Sequence, residues 1–241
     1  MWHMHENQHK TTELNDREKV EAWVRKRDRV YAYLTDFYDN GGRVCQCTED
    51  SLVLFDEKTR ICYAAGPACT APELRNSLLV MTDCGDLAHT LIDEGVYPMI
   101  LECTTAVYWK QEPLHVEKPG ITTRRLTEAD LRFVLDNYHN PGAYEEHIRE
   151  RIAYGMIGGL LDGQLAGFAG IHQEGTVGML EVLPEFRRHG LAEVLEAEAI
   201  NLQLEKHRLP YGHIRVGNEA SKALQRKLGL TLDDNPMYWV G

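Results

Sequence analysis

The chain has 241 residues, of which 43% are hydrophobic and 26% charged, and its formal net charge is −11. This length corresponds to one large domain or two small ones, with enough apolar residues for an ordinary core. The acidic balance argues against a nucleic-acid partner, because phosphate binding requires excess lysine and arginine. No apolar run approaches the roughly 18 residues of a membrane span, and the polar N-terminal stretch has no apolar signal region. We therefore expect a cytoplasmic protein with no membrane contact.

The first half begins with a helical pattern. Asn15, with Glu18 three residues later, is an N-cap pair. Apolar residues at near-helical spacing continue to Tyr38, and the glycines of residues 39–42 end the helix. Strand-like runs follow, and they read RVCQCT, SLVLFD and RICYAAG before mixed signals end in YPMILECTTAVYW. We predict a small α/β domain over residues 1–117, in which no catalytic constellation is visible.

All six cysteines lie in this half: Cys45, Cys47, Cys62, Cys69, Cys84 and Cys103. The Cys-Gln-Cys pair could indicate a metal, but no second close pair accompanies it. Spacing of two residues instead places both thiols on one face of a strand. We expect reduced cytosolic thiols and no metal site.

A proline-containing stretch without periodicity, residues 110–120, predicts a linker before a second domain of residues 118–241. Two helical patterns follow, broken near residues 141–142. Two apolar runs joined at Asp162–Gly163 then predict a hairpin. The predicted order of this half is helix, helix, three antiparallel strands, helix (188–207), strand, helix and strand.

The stretch LEVLPEFRRHGLAEVL, residues 180–195, joins a strand to a helix through a charged loop. A helix N-terminus leaves backbone N–H groups unpaired and carries a partial positive charge, so it can bind an anion. Gly190 allows close backbone approach, and Ala192 keeps the next turn small. Arg187 and Arg188 add charge on the loop. By itself the pattern also fits a helix start with two solvated arginines.

A second motif, VGNEASKALQRKLGL at residues 216–230, follows in the order expected for one family. Together the two motifs make residues 121–241 resemble the GCN5-related N-acetyltransferase (GNAT) superfamily. The resemblance implies an α/β fold with a mixed, mostly antiparallel sheet flanked by helices, here preceded by the smaller α/β domain. The ending LGLTLDDNPMYWV and the presence of an N-terminal half are similar to the glycine-N-acyltransferase-like branch.

The resemblance implies acetyl-CoA as co-substrate, no metal, and particular roles for the motif residues. The N–H of Leu180 would face the acetyl carbonyl and stabilise the oxyanion, which is typically worth about 10²–10³ in rate. Val182 would pair with the pantetheine arm, and the loop amides would take the pyrophosphate. The implied cofactor-binding residues are Leu180, Val182, Arg187, Arg188, His189, Gly190, Leu191, Ala192, Asn218 and Ser221.

The sequence departs from the family at its two commonest catalytic positions. Gln225 follows Leu224 where many members carry a tyrosine that protonates the leaving thiolate. Thr176 and Gly178 stand where many members carry a Glu or His base. A thiolate needs little acid assistance, since its conjugate acid has a pKa near 8.5. The missing base matters more, because the attacking amine must lose a proton.

Three residues are candidate substitutes for the base. His172 ends a strand and titrates in the right range, although a strand-end histidine can also be structural. Glu174 lies in the following turn, where a carboxylate is ordinarily solvated. Glu181 interrupts an apolar run, and alternation places it with Val177 and Met179, opposite Leu180, facing the helix layer. A carboxylate there must be paired or raised in pKa.

The function that we expect is transfer of an acetyl or other acyl group from acetyl-CoA to a primary amine. Attack would be direct, in a ternary complex, and the acceptor a small molecule or amino acid. The sequence leaves open whether the protein forms a homodimer. The alternatives are a non-catalytic acyl-CoA-binding or sensing module, and a protein–protein module in which the second half is scaffold. A nucleotide-binding protein is disfavoured, because neither a P-loop nor a GxGxxG motif is present.

Overall fold

A computed structural model of the protein describes residues 14–27, 31–138, 140 and 144–241. Its first half contains α1 (Asp16–Arg25), α2 (Ala32–Asp39), β1 (Arg43–Cys47), β2 (Leu52–Asp56), β3 (Ile61–Ala65), β4 (Leu79–Thr82), α3 (Gly85–Asp93) and β5 (Ile100–Val107). The capping box at the start of α1 and the three predicted strands are confirmed.

The single N-terminal helix predicted from residue 15 to Tyr38 is wrong. The structure has two helices there, and residues 28–30 between them lie outside the described ranges. Trp23 of α1 and Tyr31, at the start of α2, pack edge to face with ring centroids 5.3 Å apart. Helical periodicity continues across the break because both helices bury aromatic residues against the same core.

The second half contains β6 (Ile121–Arg125), α4 (Leu131–Asn137), α5 (Glu145–Tyr154), β7 (Ile157–Leu161), β8 (Gln164–Ile171), β9 (Val177–Val182), α6 (Leu191–Glu205), β10 (Tyr211–Arg215), α7 (Glu219–Lys227) and β11 (Thr231–Val240). The predicted order is confirmed, and so is the hairpin, where Asp162 and Gly163 both have positive φ. β6 was not predicted, because its sequence ITTRR lacks an apolar alternation.

The strands form two sheets. One has seven strands in the order β1-β2-β3-β4-β11-β5-β10, and the other has the order β6-β7-β8-β9. β5 comes from the first half of the chain, yet it lies between β10 and β11 and pairs antiparallel with both. The larger sheet therefore continues across the linker at residues 110–120. Mixed sheets flanked by helices confirm the predicted fold class.

The two sheets approach each other between β9 and β10. A Cβ added at Gly212 of β10 would lie 3.0 Å from the carbonyl oxygen of Val177 in β9. Within the described residues β9 pairs with β8 only, and its second part, from Leu180 to Val182, lines a cavity together with α7. One edge of β9 thus borders an open cleft.

A β-bulge lies in the middle of β9. Phe168 of β8 is opposite Glu181, and Gly170 is opposite Gly178, so one residue of β8 faces two residues of β9. Met179, one of these two, has φ +49°. Such a bulge interrupts the ladder and re-aims the side chains that follow it.

The bulge alters the side-chain alternation of β9. Val177, Leu180 and Val182 pack in the cluster that includes α6, whereas Met179 packs with α4 and α5. Glu181 lies opposite Leu180, as predicted, but the prediction that it shares a face with Val177 is wrong. The extra residue shifts the two-residue period by one position.

None of the helices in the described ranges is long and apolar enough to cross a bilayer.

Candidate functional site

The cleft between β9 and α7 is a cavity of about 700 Å³. It is lined by the second part of β9, the loop after it, the start of α6 and one face of α7. Of the ten predicted cofactor-binding residues, all except His189 line this cavity. The structure therefore brings together residues that are up to about forty positions apart in sequence.

Two residues near the end of the loop after β9 have left-handed backbone conformations. Arg188 has φ +66°, and Gly190, the N-cap of α6, has φ +87°. A Cβ at Gly190 would lie 3.2 Å from three side-chain carbons of Lys118. The backbone conformation thus favours glycine, and a larger residue would also have to shift the lysine side chain that crosses it. The N-terminus of α6 consequently opens directly into the cavity.

The two loop arginines have different surroundings. Arg187 donates from Nε to the carbonyl oxygen of Val182 at 3.0 Å, which ties the loop to the end of β9. Arg188 is exposed and makes no hydrogen bond or ion pair with any described residue. A ring nitrogen of His189, Nδ1, lies 3.2 Å from the carbonyl oxygen of Phe186. The charge of Arg188 is therefore available to an anion.

Sequence analysis did not identify a charged cluster at the mouth of this cavity. Glu193, in the first turn of α6, pairs with Lys118 of the linker at 3.1 Å and with Lys227 of α7 at 2.6 Å. Hydrogen bonds from these lysines lower the pKa of Glu193, and the bond from Lys227 has the largest effect. The linker is thereby held against the start of α6. Only contacts between residues distant in sequence define this cluster, so no local motif could have indicated it.

Asn218 is the N-cap of α7. Its Oδ1 accepts a hydrogen bond from the backbone N–H of Ser221 at 3.1 Å. Both residues line the cavity. The asparagine therefore sets where α7 begins, and its predicted contact with CoA stays a prediction.

Gln225 does not reach the cavity. It is 4% exposed, and its Nε2 donates to Oε1 of Glu196 in α6, between the two helices. Glu196 is itself 2% exposed, and burial raises its pKa to about 7, opposed by the hydrogen bond from Gln225. Leu224, the preceding residue, lines the cavity instead. Gln225 is thus in no position to contact a thiolate.

A second cavity, of about 460 Å³, lies between the two halves of the chain. The first half contributes β3, β4 and β5 to its wall, and the second half contributes the β8–β9 turn, β10, β11 and the start of α5. Its polar lining includes His147, His172, Glu174, His213 and Arg215. Residues of the first half are therefore part of a candidate site, although they carry no motif.

His172 contacts the bulge of β9. Its Nε2 accepts a hydrogen bond from the backbone N–H of Met179 at 3.3 Å. A Cβ at Gly178 would lie 2.6 Å from this nitrogen, so glycine is needed there for the ring to reach the strand. Because Nε2 is the acceptor, the proton of the neutral ring is on Nδ1. In this arrangement His172 offers the cavity a donor, and a base role would require the contact with Met179 to break.

Glu174 is not the solvated turn carboxylate that its sequence context indicates. It is 4% exposed and accepts a hydrogen bond from the hydroxyl of Thr176, which is also buried. Tyr211 of β10 donates to the backbone carbonyl oxygen of Glu174 at 3.0 Å. The turn is thus fixed against the larger sheet. Glu181, the third predicted candidate, lines the first cavity rather than the second.

His213 and Trp239 form a pair that sequence analysis missed. Nε1 of Trp239 donates to Nδ1 of His213 at 2.8 Å, and the rings of His172 and Trp239 pack edge to face. Burial, followed by the charge of His172, lowers the pKa of His213 to about 3. His213 is therefore neutral at physiological pH and supports the wall of the second cavity.

Comparison with known proteins identifies the fold. Residues 153–240 match the family model described as FR47-like protein. A search of curated protein sequences finds no match. A solved Drosophila protein is 17% identical, covering 94% of this chain and 89% of its own, with a TM-score of 0.59. A GCN5-related N-acetyltransferase-like protein from Streptococcus suis is 15% identical, with coverages of 94% and 100% and a TM-score of 0.54.

A GCN5-related N-acetyltransferase from Kribbella flavida is 16% identical, covering 88% of this chain and 94% of its own, with a TM-score of 0.53. Three structures thus follow most of the chain, including its first half. At these identities the likeness concerns the fold, and the family match covers the region with both sequence motifs. The chain has the fold of the GCN5-related N-acetyltransferases, and its residues 153–240 are similar to the FR47-like family.

Proposed function

We propose that the protein is an acetyl-CoA-dependent N-acetyltransferase that transfers an acyl group to a primary amine of a small molecule or amino acid. The observation that carries the proposal is the cleft of about 700 Å³ beside the unpaired edge of β9, with the start of α6 opening into it. We assign the protein to the glycine-N-acyltransferase-like branch on its last strand and its N-terminal half.

The residues of the cleft fit the parts of CoA. The edge of β9 that faces no described strand can take the amides of the pantetheine arm at Leu180 and Val182 as an added strand, although the carbonyl oxygen of Val182 already accepts from Arg187. The loop amides and the N-terminus of α6 face where a pyrophosphate would bind. Arg188 supplies a charge that no described residue neutralises.

The acceptor amine would enter from the second cavity. His172 lines that cavity and contacts the N–H of Met179, and the next residue, Leu180, lines the CoA cleft, so an amine in the second cavity would lie on the opposite side of this stretch of β9. The amine nitrogen would bond to the acetyl carbon and the ammonium would lose a proton. The C–S bond would then break, and the thiolate would leave and be protonated from solvent. The balanced products are an amide and CoA.

The test is thiol release from acetyl-CoA with a panel of glycine, lysine, spermidine and tryptamine, together with calorimetry of acetyl-CoA binding. We expect Gly190→Glu to abolish binding, because the added carboxylate would repel phosphate and displace Lys118. Gly163→Glu is a matched control: its φ of +82° gives similar backbone strain, and no described atom lies within 4 Å of the new Cβ. Unchanged affinity in folded Gly190→Glu would refute the proposed site.

A non-catalytic acyl-CoA-binding module is the second candidate. It is favoured by one observation: among the described residues that line the CoA cleft there is no tyrosine, and Gln225 is turned away. This module would bind acetyl-CoA in calorimetry, would lose binding in Gly190→Glu, and would release no thiol with any amine of the panel.

A further inference from the structure

The second cavity is lined by three histidines, His147, His172 and His213. His172 uses Nε2 as an acceptor for the Met179 N–H, and His213 uses Nδ1 as an acceptor for the indole N–H of Trp239. Glu174 is buried and accepts from Thr176, and Glu181 lines the CoA cleft. His147 is therefore the histidine of this cavity whose ring nitrogens accept from no described group.

His147 lies in the first turn of α5 and lines the second cavity together with His172 and Glu174. Its ring packs against the exposed ring of Tyr144, with centroids 5.8 Å apart. It is partly exposed and makes no hydrogen bond with any described residue. The ring therefore belongs to the cavity wall, and no described group occupies either of its nitrogens.

Partial burial and the neighbouring charges favour the neutral form of this imidazole before reaction. Partial burial, followed by Arg151 on the same helix and His172 across the cavity, lowers the pKa of His147 below 6.5. Glu174 and Glu150 act in the opposite direction. At neutral pH the ring is thus unprotonated, and after it accepts a proton the two carboxylates stabilise the imidazolium.

We propose that His147 is the general base that takes the proton of the acceptor amine. The inference rests on the proposed acetyltransferase function. As the amine nitrogen bonds to the acetyl carbon, one N–H proton moves to a ring nitrogen of His147. Collapse of the tetrahedral adduct breaks the C–S bond and releases the thiolate. The imidazolium then returns its proton to solvent, so the enzyme is unchanged and no further reactant is needed.

The experiment measures kcat/KM against pH, using acetyl-CoA and the best acceptor of the panel above. Wild type should lose activity on the acidic side, at pH values below the lowered pKa of His147, because the base is then protonated. We expect His147→Ala to lower kcat/KM by roughly 10²–10⁴ and to lose this acidic limb. Added imidazole should restore part of the rate, which loss of a structural side chain would not permit. The KM for acetyl-CoA should change less than about threefold, since His147 does not line the CoA cleft.

Two further variants make the result specific. His89→Ala removes an exposed histidine of α3 and should behave as wild type. His172→Ala should lower the rate without rescue by imidazole, because it removes a contact to the bulge. A rescuable loss in His172→Ala alone, or a His147→Ala enzyme with the wild-type rate and acidic limb, overturns the inference. An inactive wild type would instead refute the proposed function itself.

Discussion

The buried pair of Glu196 and Gln225 gives the protein a pH-dependent stability that one substitution should remove. Burial raises the pKa of Glu196 from its ordinary value of 4.5 to about 7. A carboxyl group with a raised pKa in the folded state favours folding when it is protonated. Its contribution is complete below pH 4.5 and is lost as the pH rises toward 7.

The size of the effect follows from the shift. A difference of 2.5 pKa units is equivalent to about 3 kcal/mol at 1.36 kcal/mol per unit. By linkage, about 1 kcal/mol of this stabilisation is already lost at pH 5, and nearly all of it is lost at pH 8. Glu196→Gln removes the charge and introduces an amide. Its Nε2 can donate to Oε1 of Gln225, an atom that has no partner among the described residues. The variant should therefore gain about 3 kcal/mol at pH 8 and about 1 kcal/mol at pH 5.

Urea unfolding of wild type and Glu196→Gln at the two pH values measures this difference. Glu198→Gln, which changes a less buried carboxylate of the same helix, is the control, and we expect it to stay within about 0.5 kcal/mol of wild type at both pH values. An equal gain for Glu196→Gln at pH 5 and pH 8 would show that Glu196 is not protonated in the folded protein.

Two other variants test buried polar contacts. Gln225→Ala should leave kcat within about tenfold of wild type, because the side chain does not reach the CoA cleft; a thousandfold loss in the thiol-release assay would contradict this. For His213, whose folded pKa of about 3 is below its ordinary 6.5, stability is present above pH 6.5 and is lost as the pH falls. His213→Gln keeps an acceptor for Trp239 but cannot be protonated in this pH range, so its Tm should fall less than that of wild type between pH 7.5 and pH 5. Equal falls would show that the pKa of His213 is not lowered in the folded protein.

The motif around Gly190 was predictable because its chemistry is local. A strand, a charged loop with glycine and a helix are contiguous in sequence, and their order fixes the cavity at the start of α6. The hairpin at Asp162–Gly163 was predictable for the same reason. The bulge at Met179 was not, because β9 still reads as an alternating strand. Its extra residue becomes visible only in the pairing with β8.

The lining of the second cavity was beyond sequence analysis. His147, His172 and Trp239 come from a helix, a turn and the last strand, and contacts with the first half bring them together. The burial of Glu174 was also not predictable, because it depends on Thr176 and on Tyr211 of the distant strand β10, which hold its turn against the larger sheet. Turn composition alone indicates exposure and carries no information about which surface will cover the turn.

The position of β5 between β10 and β11 has a consequence for how the chain folds. A ribosome synthesises β5 about a hundred residues before the two strands that flank it in the sheet. Until they emerge, β5 has both hydrogen-bonding edges open, and β4 also waits for β11. Closing such long loops is slow, and an unpaired strand edge invites association with other chains. Completion of the seven-stranded sheet must therefore wait until β10 and β11 have been synthesised, and nascent chains that stop before β10 should be the species that most require a chaperone.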